Sequence, residues 1–344
     1  MRRVFIDRIP GLPLVPLLYP NLGREERGTI MFLNEAFADL TEPFVEVVAD
    51  PAQADDLLIP HNFPSVRHRP DSLRKYAELS RKLNKRIIVI AHGDSDAPVD
   101  LPNAVVFRTS LYRFRKRENE IAMPAYAVDL LRGEQIALRK KSDLPVVGFC
   151  GWTYYKNPKN AVATLVKDAL VGARAFLFRD ARLAALKKGL TFRRVSVDIL
   201  RKSTAVRTNF ILRSSYSGHL QTIRLDPVQA REEYRRNLLD ADLALAVKGD
   251  GNYSYRLYEA LSLGRVPLFL DTECVLPLEQ HLDYSAFMVR VPFTDLRHVD
   301  HIAAAFWNGL TDERFAEMQR MAREAFEKFL SVKAFFRFAV EKLL

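Results

Sequence analysis

The sequence predicts an α/β protein with two domains. Short segments rich in β-branched residues alternate with segments of helical length, which favours a mostly parallel sheet covered by helices. The chain has 344 residues, more than one hydrophobic core usually serves. A polar, basic connection at residues 131–145 separates two series of this alternation. We therefore predict domains over residues 1–140 and 141–311, and C-terminal helices over 312–344 that pack back on the first domain.

The first series supplies five predicted strands and two predicted helices. The strands are expected at residues 3–7, 44–48, 56–60, 86–91 and 104–108. The helices are expected at residues 28–40 and 69–85. In the second helix, Leu73, Tyr76, Leu79 and Leu83 recur near a period of 3.6, as on the buried face of an amphipathic helix.

The second series continues the pattern. Strands are expected at residues 146–151, 209–213, 243–247, 266–270 and 287–291, and a helix with a polar face at 227–241. Residues 312–344 are expected to be helical with a break near Ser331. The stripe of Phe and Leu in this tail favours packing on the protein, and a membrane-surface face is the alternative.

The charge balance favours anionic partners. The chain carries 52 Lys and Arg against 42 Asp and Glu, a formal net charge of +10. The basic residues are dispersed, and no helix-turn-helix, zinc-finger or RNA-recognition pattern accompanies them. We interpret them as solvated faces, and expect no nucleic acid partner.

Cysteine usage and hydropathy bear on the compartment. Cys150 and Cys274 do not form a disulfide framework, which fits a reducing environment. The apolar N-terminal stretch is interrupted by Asp7 and Arg8, and no segment reaches the roughly 18 apolar residues of a membrane span. We expect a cytoplasmic protein, with peripheral contact to an anionic membrane left open.

The most informative stretch is residues 243–271. The predicted strand 243–247 leads into a loop with Gly249 and Gly251, and a helix follows that Asn252 or Ser254 can cap. In open α/β sheets, ligands bind at the carboxyl ends of the strands, where this loop lies.

This loop and helix predict a nucleotide site. A helix N-terminus favours phosphate, and Lys248 and Arg256 would add positive charge. Glu259 could accept two hydrogen bonds from a ribose diol. The alternative is an ordinary strand-to-helix turn with an Arg–Glu surface pair. The usual P-loop and dinucleotide fingerprints are absent from the sequence.

The same stretch resembles a known family. Residues 243–292 are similar to the C-terminal signature of the exostosin-like glycosyltransferases. The matching positions are Gly249, Asp250, Ser254, Arg256, Tyr258, Glu259, Ala260, Gly264, Pro267, Leu276, Pro277, Asp283 and Tyr284. Arg265 departs from the pattern, because the family commonly has Cys there.

The resemblance implies a GT-B fold, in which two Rossmann-like domains face a cleft. It also implies a nucleotide-sugar donor on the C-terminal domain, with a UDP-sugar favoured, and inversion at the anomeric carbon without an essential metal or a cofactor. We expect the donor to be bound by Gly151, Arg213, Lys248, Gly249, Asp250, Asn252, Tyr253, Ser254, Arg256, Glu259 and Asp271.

The general base is expected on the N-terminal, acceptor-side domain. His92 and Asp94 follow the predicted strand 86–91, so either could take the proton of an acceptor hydroxyl. Two alternatives stay open: a plain turn capped by Asp, and a metal-binding pair of Asp94 and Asp96.

The predicted function is an inverting glycosyltransferase, a hexosyl- or pentosyltransferase, that acts on a hydroxyl of a glycan or lipid-linked polysaccharide acceptor. One alternative is a fucosyltransferase-like GDP-sugar enzyme. Another is a non-catalytic glycan- or nucleotide-binding module of the same fold.

Overall fold

The chain folds around two parallel β-sheets. The computed structural model describes residues 1–24, 32–215 and 223–344. The first sheet has the order β2-β1-β3-β4-β5-β6, and all its pairings are parallel. Its strands are β1 (Arg2–Phe5), β2 (Val45–Val48), β3 (Asp56–Leu58), β4 (Ile87–Ala91), β5 (Ala104–Arg108) and β6 (Glu120–Ala122).

The second sheet has five parallel strands in the order β11-β10-β9-β7-β8. These are β7 (Val146–Trp152), β8 (Arg207–Arg213), β9 (Leu243–Ala246), β10 (Val266–Asp271) and β11 (Val289–Pro292). The helices are α1 (Tyr19–Leu22), α2 (Phe63–Val66), α3 (Pro70–Leu83), α4 (Pro158–Leu177), α5 (Gly189–Lys202), α6 (Pro227–Leu239), α7 (Tyr255–Ser262), α8 (Val299–Asn308), α9 (Asp312–Ala325) and α10 (Val332–Phe338).

The predicted α/β class with two parallel sheets is confirmed, and all ten predicted strands are present. The sequence reading missed β6, a three-residue strand whose Glu120 is buried against Arg108. It also missed α4, α5 and α8. The division of the chain at residues 140 and 311, and a GT-B cleft between the two sheets, stay predictions.

The helix expected at residues 28–40 is not formed in its described part. A 3-10 turn spans Leu33–Phe37 instead, and residues 28–31 lie outside the described residues. Phe32 has a φ of 61°, a left-handed conformation that an α-helix cannot continue through.

The C-terminal helices pack against both sheets. The predicted break is confirmed: π-helical backbone over Phe326–Leu330 ends at Ser331, whose side chain caps α10 by accepting from the Ala334 N–H. Phe335 and Phe336 of α10 lie in one buried cluster with Val4 and Leu58 of the first sheet. The buried Phe and Leu residues of this tail therefore pack on protein, as the sequence predicts.

The order of the strands determines where a ligand-binding crevice can form beside the second sheet. In the second sheet the direction of winding reverses between β7 and β9, which are neighbours there although β8 lies between them in sequence. At such a switch point the loops after the two strands diverge and leave a crevice at their carboxyl ends. The loops after Trp152 and Ala246 meet this condition.

One negative finding concerns the membrane. Within the described part of the chain, no helix combines the length and the apolar character needed to cross a bilayer.

Docking of α10 on the first sheet should contribute strongly to stability. Phe335 is 1% exposed and its ring meets Phe107 edge-on at 6.2 Å between centroids. We expect Phe335→Ala to lower the free energy of unfolding by about 3–5 kcal/mol, because it leaves a cavity. Phe176→Ala, at a residue that is 83% exposed, is the matched control and should change it by less than about 0.5 kcal/mol. Urea titration of both variants measures this, and equal midpoints would contradict the docking.

Candidate functional site

A buried amide joins the carboxyl ends of the two sheets. The Asn252 N–H donates to Ser110 Oγ at 2.9 Å, and its side-chain amide donates to the carbonyl oxygens of Leu111 (3.2 Å) and Thr272 (3.1 Å). Thr272 Oγ1 donates to Asn252 Oδ1 at 2.6 Å. Asn252 therefore holds the loop after β9 to those after β5 and β10, and it does not cap α7.

Lys248 is buried, and its ammonium group binds other groups of the protein. Its ammonium donates to Tyr112 OH at 2.8 Å and to the Ala185 carbonyl at 2.6 Å, and it lies 5.4 Å from the centre of the Phe192 ring. Burial lowers the pKa of Lys248 to about 7. The contact of Lys248 with a donor phosphate stays a prediction, and its present partners are all protein groups.

The glycine loop approaches other backbone closely. A Cβ atom on Gly189 would stand 2.0 Å from the Gly249 carbonyl oxygen, so α5 begins directly against this loop. Asp250 is exposed and pairs with Lys188 at 3.3 Å. The Gly251 N–H donates to Asp94 Oδ1 at 3.1 Å, across the boundary between the two sheets.

An aromatic group surrounds His92 at the same boundary. The His92 ring stacks on Tyr126 with 4.0 Å between centroids, and Nε2 lies 3.3 Å from Tyr255 OH. Tyr253 is 6.5 Å away. Asn62 fixes the backbone of His92 through two hydrogen bonds, of 2.8 and 2.9 Å. Burial lowers the pKa of His92 to about 4, so the imidazole is neutral at neutral pH.

Arg256 extends from the first turn of α7 to the end of β7. Ser254 occupies the N-cap position, although its side chain does not cap the helix. Arg256 Nη2 donates to the Cys150 carbonyl at 2.5 Å, and the guanidinium lies 4.3 Å over the Phe149 ring. A Cβ on Gly151 would come within 2.9 Å of Arg256 Nη2, so glycine permits this approach.

Arg213 brings a second guanidinium to the same place. It pairs with Trp152 in the register of β8 and β7. Its Nη2 donates to the Ala230 carbonyl at 2.6 Å and lies 3.3 Å from Glu233 Oε2. The positive charges of Arg213 and Arg256 both oppose the rise that burial causes in the pKa of Cys150, which places both close to this thiol.

Each of these two arginines has one guanidinium N–H group that lacks a hydrogen-bond partner in the described part of the chain. The Nε atoms of Arg213 and Arg256 are buried, and neither has a hydrogen-bond partner among the residues that the structure describes. A buried N–H without a partner costs about 1–3 kcal/mol, more when the group is charged. Both side chains therefore carry an N–H group that an added acceptor would stabilise.

Glu259 lies next to this pair and is held by a tyrosine. Tyr234 OH donates to Glu259 Oε2 at 2.6 Å. Burial raises the pKa of Glu259, and the Tyr234 hydrogen bond and the charge of Arg256 oppose that rise. No hydrogen bond within the described residues involves Oε1, so this oxygen remains available as an acceptor.

Asp271 makes contacts of its own. Oδ1 accepts from the Cys274 N–H at 2.8 Å, and Oδ2 accepts from Arg290 Nε at 2.8 Å. These contacts fit the turn-capping interpretation, and binding of a donor sugar by Asp271 stays a prediction.

The predicted site residues thus fall into two groups joined by α7. Gly151, Arg213, Arg256 and Glu259 meet at the switch point of the second sheet. His92, Asp94 and Tyr253 meet at the boundary between the sheets, and Tyr255, next to Arg256 in sequence, connects the groups. Lys248, Gly249, Asp250, Asn252, Ser254 and Asp271 build the loops around them.

Two neighbours of these groups, Tyr234 and Tyr126, were not predicted from the sequence. Tyr234 lies on the predicted helix 227–241, and a tyrosine among the polar residues of that helix could have indicated a role in the site. Tyr126 lies in an irregular segment with no periodicity to place it.

No candidate metal centre is evident at these residues. Asp94 Oδ1 accepts from Gly251, whereas Asp96 Oδ2 pairs with Arg115 at 2.7 Å. Over residues 1–24, 32–215 and 223–344 there is no group of three or more His, Cys, Asp or Glu residues arranged to hold a metal ion.

A protein family model matches part of the chain that includes four of the five strands of the second sheet. Residues 190–306, about a third of the chain, match the Exostosin GT47 domain. The resemblance to exostosin-like glycosyltransferases is confirmed for this segment. The exostosin segment (residues 190–306) contains Arg213, Tyr234, Arg256, Glu259 and the whole glycine loop, and it excludes Gly151, His92 and Asp94.

Three solved structures are similar to the chain at low sequence identity. The chain is similar to HepE from Anabaena in complex with UDP (12% identity, 100% of this chain and 99% of that chain covered, TM-score 0.41). It is also similar to an S. aureus TarM variant in complex with fondaparinux, α-GlcNAc-glycerol and UDP (11%, 82% and 54%, 0.37). A third similar structure is a Rickettsia africae glycosyltransferase (13%, 99% and 97%, 0.34). No curated protein matches the sequence.

The environment of Lys248 predicts a pH-dependent stability. Its pKa is about 7 in the folded protein and about 10.4 in the unfolded chain, so from about pH 7 to about pH 9 only the unfolded state holds this proton fully. The free energy of unfolding should therefore rise with pH by about 2 kcal/mol over this range. Lys248→Met should abolish this rise, whereas Lys202→Met, at an exposed residue, should retain it. Urea titrations at both pH values measure the difference, and parallel curves for the wild type and Lys248→Met would contradict it.

Proposed function

We propose that the protein is a glycosyltransferase that transfers a sugar from a nucleotide diphosphate donor, with a UDP-sugar favoured, to a hydroxyl group. The observation that carries the proposal is the pair of partly buried guanidiniums, Arg213 and Arg256, at the carboxyl end of β7. Both have an Nε without a partner among the described residues. The match of residues 190–306 to a glycosyltransferase domain supports the same conclusion.

The two arginines suit a diphosphate. Guanidinium groups bind phosphate oxygens through directed, charge-assisted hydrogen bonds, and a partly buried site strengthens them because water competes less. The negative charge that develops on the leaving diphosphate would lie beside Arg256 and the first turn of α7. Electrostatic stabilisation of this kind is usually the largest single contribution to catalysis.

Glu259 suits the ribose. Tyr234 holds one carboxylate oxygen, which fixes the orientation of the group, and Oε1 can accept from a ribose hydroxyl. Arg231 is close enough for its charge to lower the pKa of Glu259, and it binds Glu35 Oε2 at 2.7 Å. The nucleoside would thus lie between α7, α6 and residues of the first half of the chain.

Asp94 is the better placed of the two candidate bases. Its carboxylate is exposed, and its one hydrogen bond among the described residues comes from Gly251, in the loop that leads to α7. It would accept the proton of the acceptor hydroxyl while the hydroxyl oxygen bonds to the anomeric carbon. The bond from that carbon to the diphosphate breaks in the same step, which inverts the configuration without a metal. His92, stacked on Tyr126 and near Tyr255, would position the acceptor.

The charge of the chain indicates the acceptor class, because a net charge of +10 suits an acidic glycan or a lipid-linked saccharide with a phosphate group. Such acceptors would place the protein in the cytoplasm near a membrane. A GDP-sugar enzyme and a non-catalytic nucleotide-binding module are the competing functions that the following measurements separate.

Nucleotide binding tests the donor site. We expect UDP to raise the melting temperature more than GDP or CMP, and Arg256→Gln to weaken UDP binding by at least about tenfold because charge-assisted hydrogen bonds to phosphate are lost. Arg320→Gln, at an exposed residue of α9, is the control and should bind as the wild type does. A larger shift with GDP would indicate the fucosyltransferase-like alternative. Binding of none of the three would contradict the site.

Turnover tests the base. We expect Asp94→Asn to lower kcat by about 10²–10⁴-fold with little change in UDP affinity, because a general base contributes about that factor. His92→Gln should raise KM for the acceptor and reduce kcat less. Glu313→Gln, at an exposed residue of α9, is the control. Release of UDP from a UDP-sugar in the presence of acceptor measures the rate. A kcat for Asp94→Asn equal to that of the wild type would exclude this role, and nucleotide binding without turnover in the wild type would indicate the non-catalytic module.

A further inference from the structure

Helix α4 exposes an apolar surface that nothing in the described chain covers. Six large apolar residues on one side of this 20-residue helix are more than half exposed, and we call them the α4 stripe. They are Val162 (61%), Leu165 (57%), Val166 (54%), Leu170 (61%), Phe176 (83%) and Leu177 (74%). Their spacing is that of a single helix face. Only Thr164 and Asp168 of the helix are buried.

The exposure of this stripe is unusual for the protein. The other long apolar stripe, in the C-terminal tail, is packed against the first sheet through Phe335 and Phe336. The crossover from β7 to β8 already has α5, whose Phe192, Val197 and Leu200 lie in the core of the second sheet. Helix α4 is therefore an additional helix in this connection, and its apolar side contributes nothing to the core. An amphipathic helix with this arrangement favours an external apolar partner.

The charges around the stripe identify the kind of partner. Residues 154–188 contain eight basic residues: Lys156, Lys159, Lys167, Arg174, Arg179, Arg182, Lys187 and Lys188. The same residues contain two acidic groups. Asp168 is buried, where Oδ1 accepts from the Lys188 N–H at 2.9 Å, and Asp180 pairs with Arg182 at 2.8 Å. The surface around the stripe is thus strongly positive.

Two of these cations are placed along the stripe itself. Lys167 and Arg174 are exposed and seven residues apart, so they lie two turns from each other on one margin of the apolar side. Long basic side chains at such a margin can reach lipid phosphates while the apolar residues enter the acyl region. In a symmetric pairing of two copies through this face, the same basic residues would approach each other and repel. The charge therefore favours an anionic lipid surface over a second copy of the chain.

We propose that the α4 stripe docks the protein on the surface of an anionic lipid bilayer. Helix α4 begins at Pro158, six residues after β7 ends at Trp152, and Asn157 caps it by accepting from the Asn160 N–H. Docking through α4 would hold the carboxyl end of β7, with Gly151 and Arg256, near the membrane. A lipid-linked acceptor would then reach the site without leaving the bilayer. The docking itself does not depend on the proposed donor or reaction.

Vesicle binding by the full-length chain tests the proposal. The protein is mixed with sedimentable vesicles of phosphatidylcholine, either pure or with about 30% phosphatidylglycerol, at low salt and at about 0.5 M salt. We expect binding to the anionic vesicles to be at least about tenfold tighter than to the neutral ones, and to weaken with salt. Phe176→Gln combined with Leu177→Gln should weaken it by at least about tenfold, as should Lys167→Gln combined with Arg174→Gln.

Matched controls come from other exposed positions. Val228→Gln removes an apolar side chain that is 64% exposed on α6, and Arg201→Gln with Lys202→Gln removes two exposed cations from α5. Both controls should bind anionic vesicles as the wild type does. Thermal melting and UDP binding, measured on every variant, should be unchanged, which separates this proposal from that of the donor site. Absence of wild-type binding to anionic vesicles would overturn the proposal, as would equal binding by the stripe variants. A dimer in sedimentation that the stripe variants dissociate, without vesicle binding, would assign the face to a second copy instead.

Discussion

The candidate site depends on the buried amide of Asn252. Its hydrogen bonds to Ser110, Leu111 and Thr272 join the loops after three different strands, two in the second sheet and one in the first. Because these polar groups are shielded from water, each has to be paired, and the pairing defines one arrangement of the loops. Gly251 and Asp94 meet one residue before this amide, and α7 begins three residues after it. The positions of Arg256 and His92 relative to each other follow from that single junction.

Buried cations are a second theme of the structure, and they are used in two different ways. Arg265, where the resembled family commonly has Cys, is 2% exposed and donates to Gln319 Oε1 and to the Ala137 carbonyl, so it ties α9 to the connection between the two series of strands. Burial lowers its pKa to about 10. Lys248 likewise donates to protein groups. Arg265 Nε lacks a partner among the described residues, as Arg213 Nε and Arg256 Nε do, so what distinguishes Arg213 and Arg256 is their position at the carboxyl end of β7.

Predictions from sequence were most successful for segments whose local residue pattern also decides how they are buried in the fold. Every predicted strand is present, because runs of β-branched residues between polar turns have few other ways to be buried. Helix α4 was not predicted, although its apolar residues recur at helical spacing and Asn157-Pro158 is a helix-start signal. Neither pattern records that this apolar face is left exposed. Residues 28–40 had a helical pattern, but Phe32 adopts a left-handed conformation and a 3-10 turn follows.

The sequence by itself determined the α/β class, the position of the glycine loop and the presence of Arg256 and Glu259 on the helix that follows, since these depend on residue type and short spacings. Tertiary structure decided which of the charged residues are available to bind a ligand. Lys248 and Asn252 are predicted ligand contacts, and binding of a donor by either residue stays a prediction. In the folded chain Lys248 donates to Tyr112 and Ala185, and the Asn252 side chain donates to the carbonyls of Leu111 and Thr272. Tyr234 became a neighbour of Glu259 only through the packing of α6 on α7. A side chain's partners are set by long-range packing, and no local pattern records them.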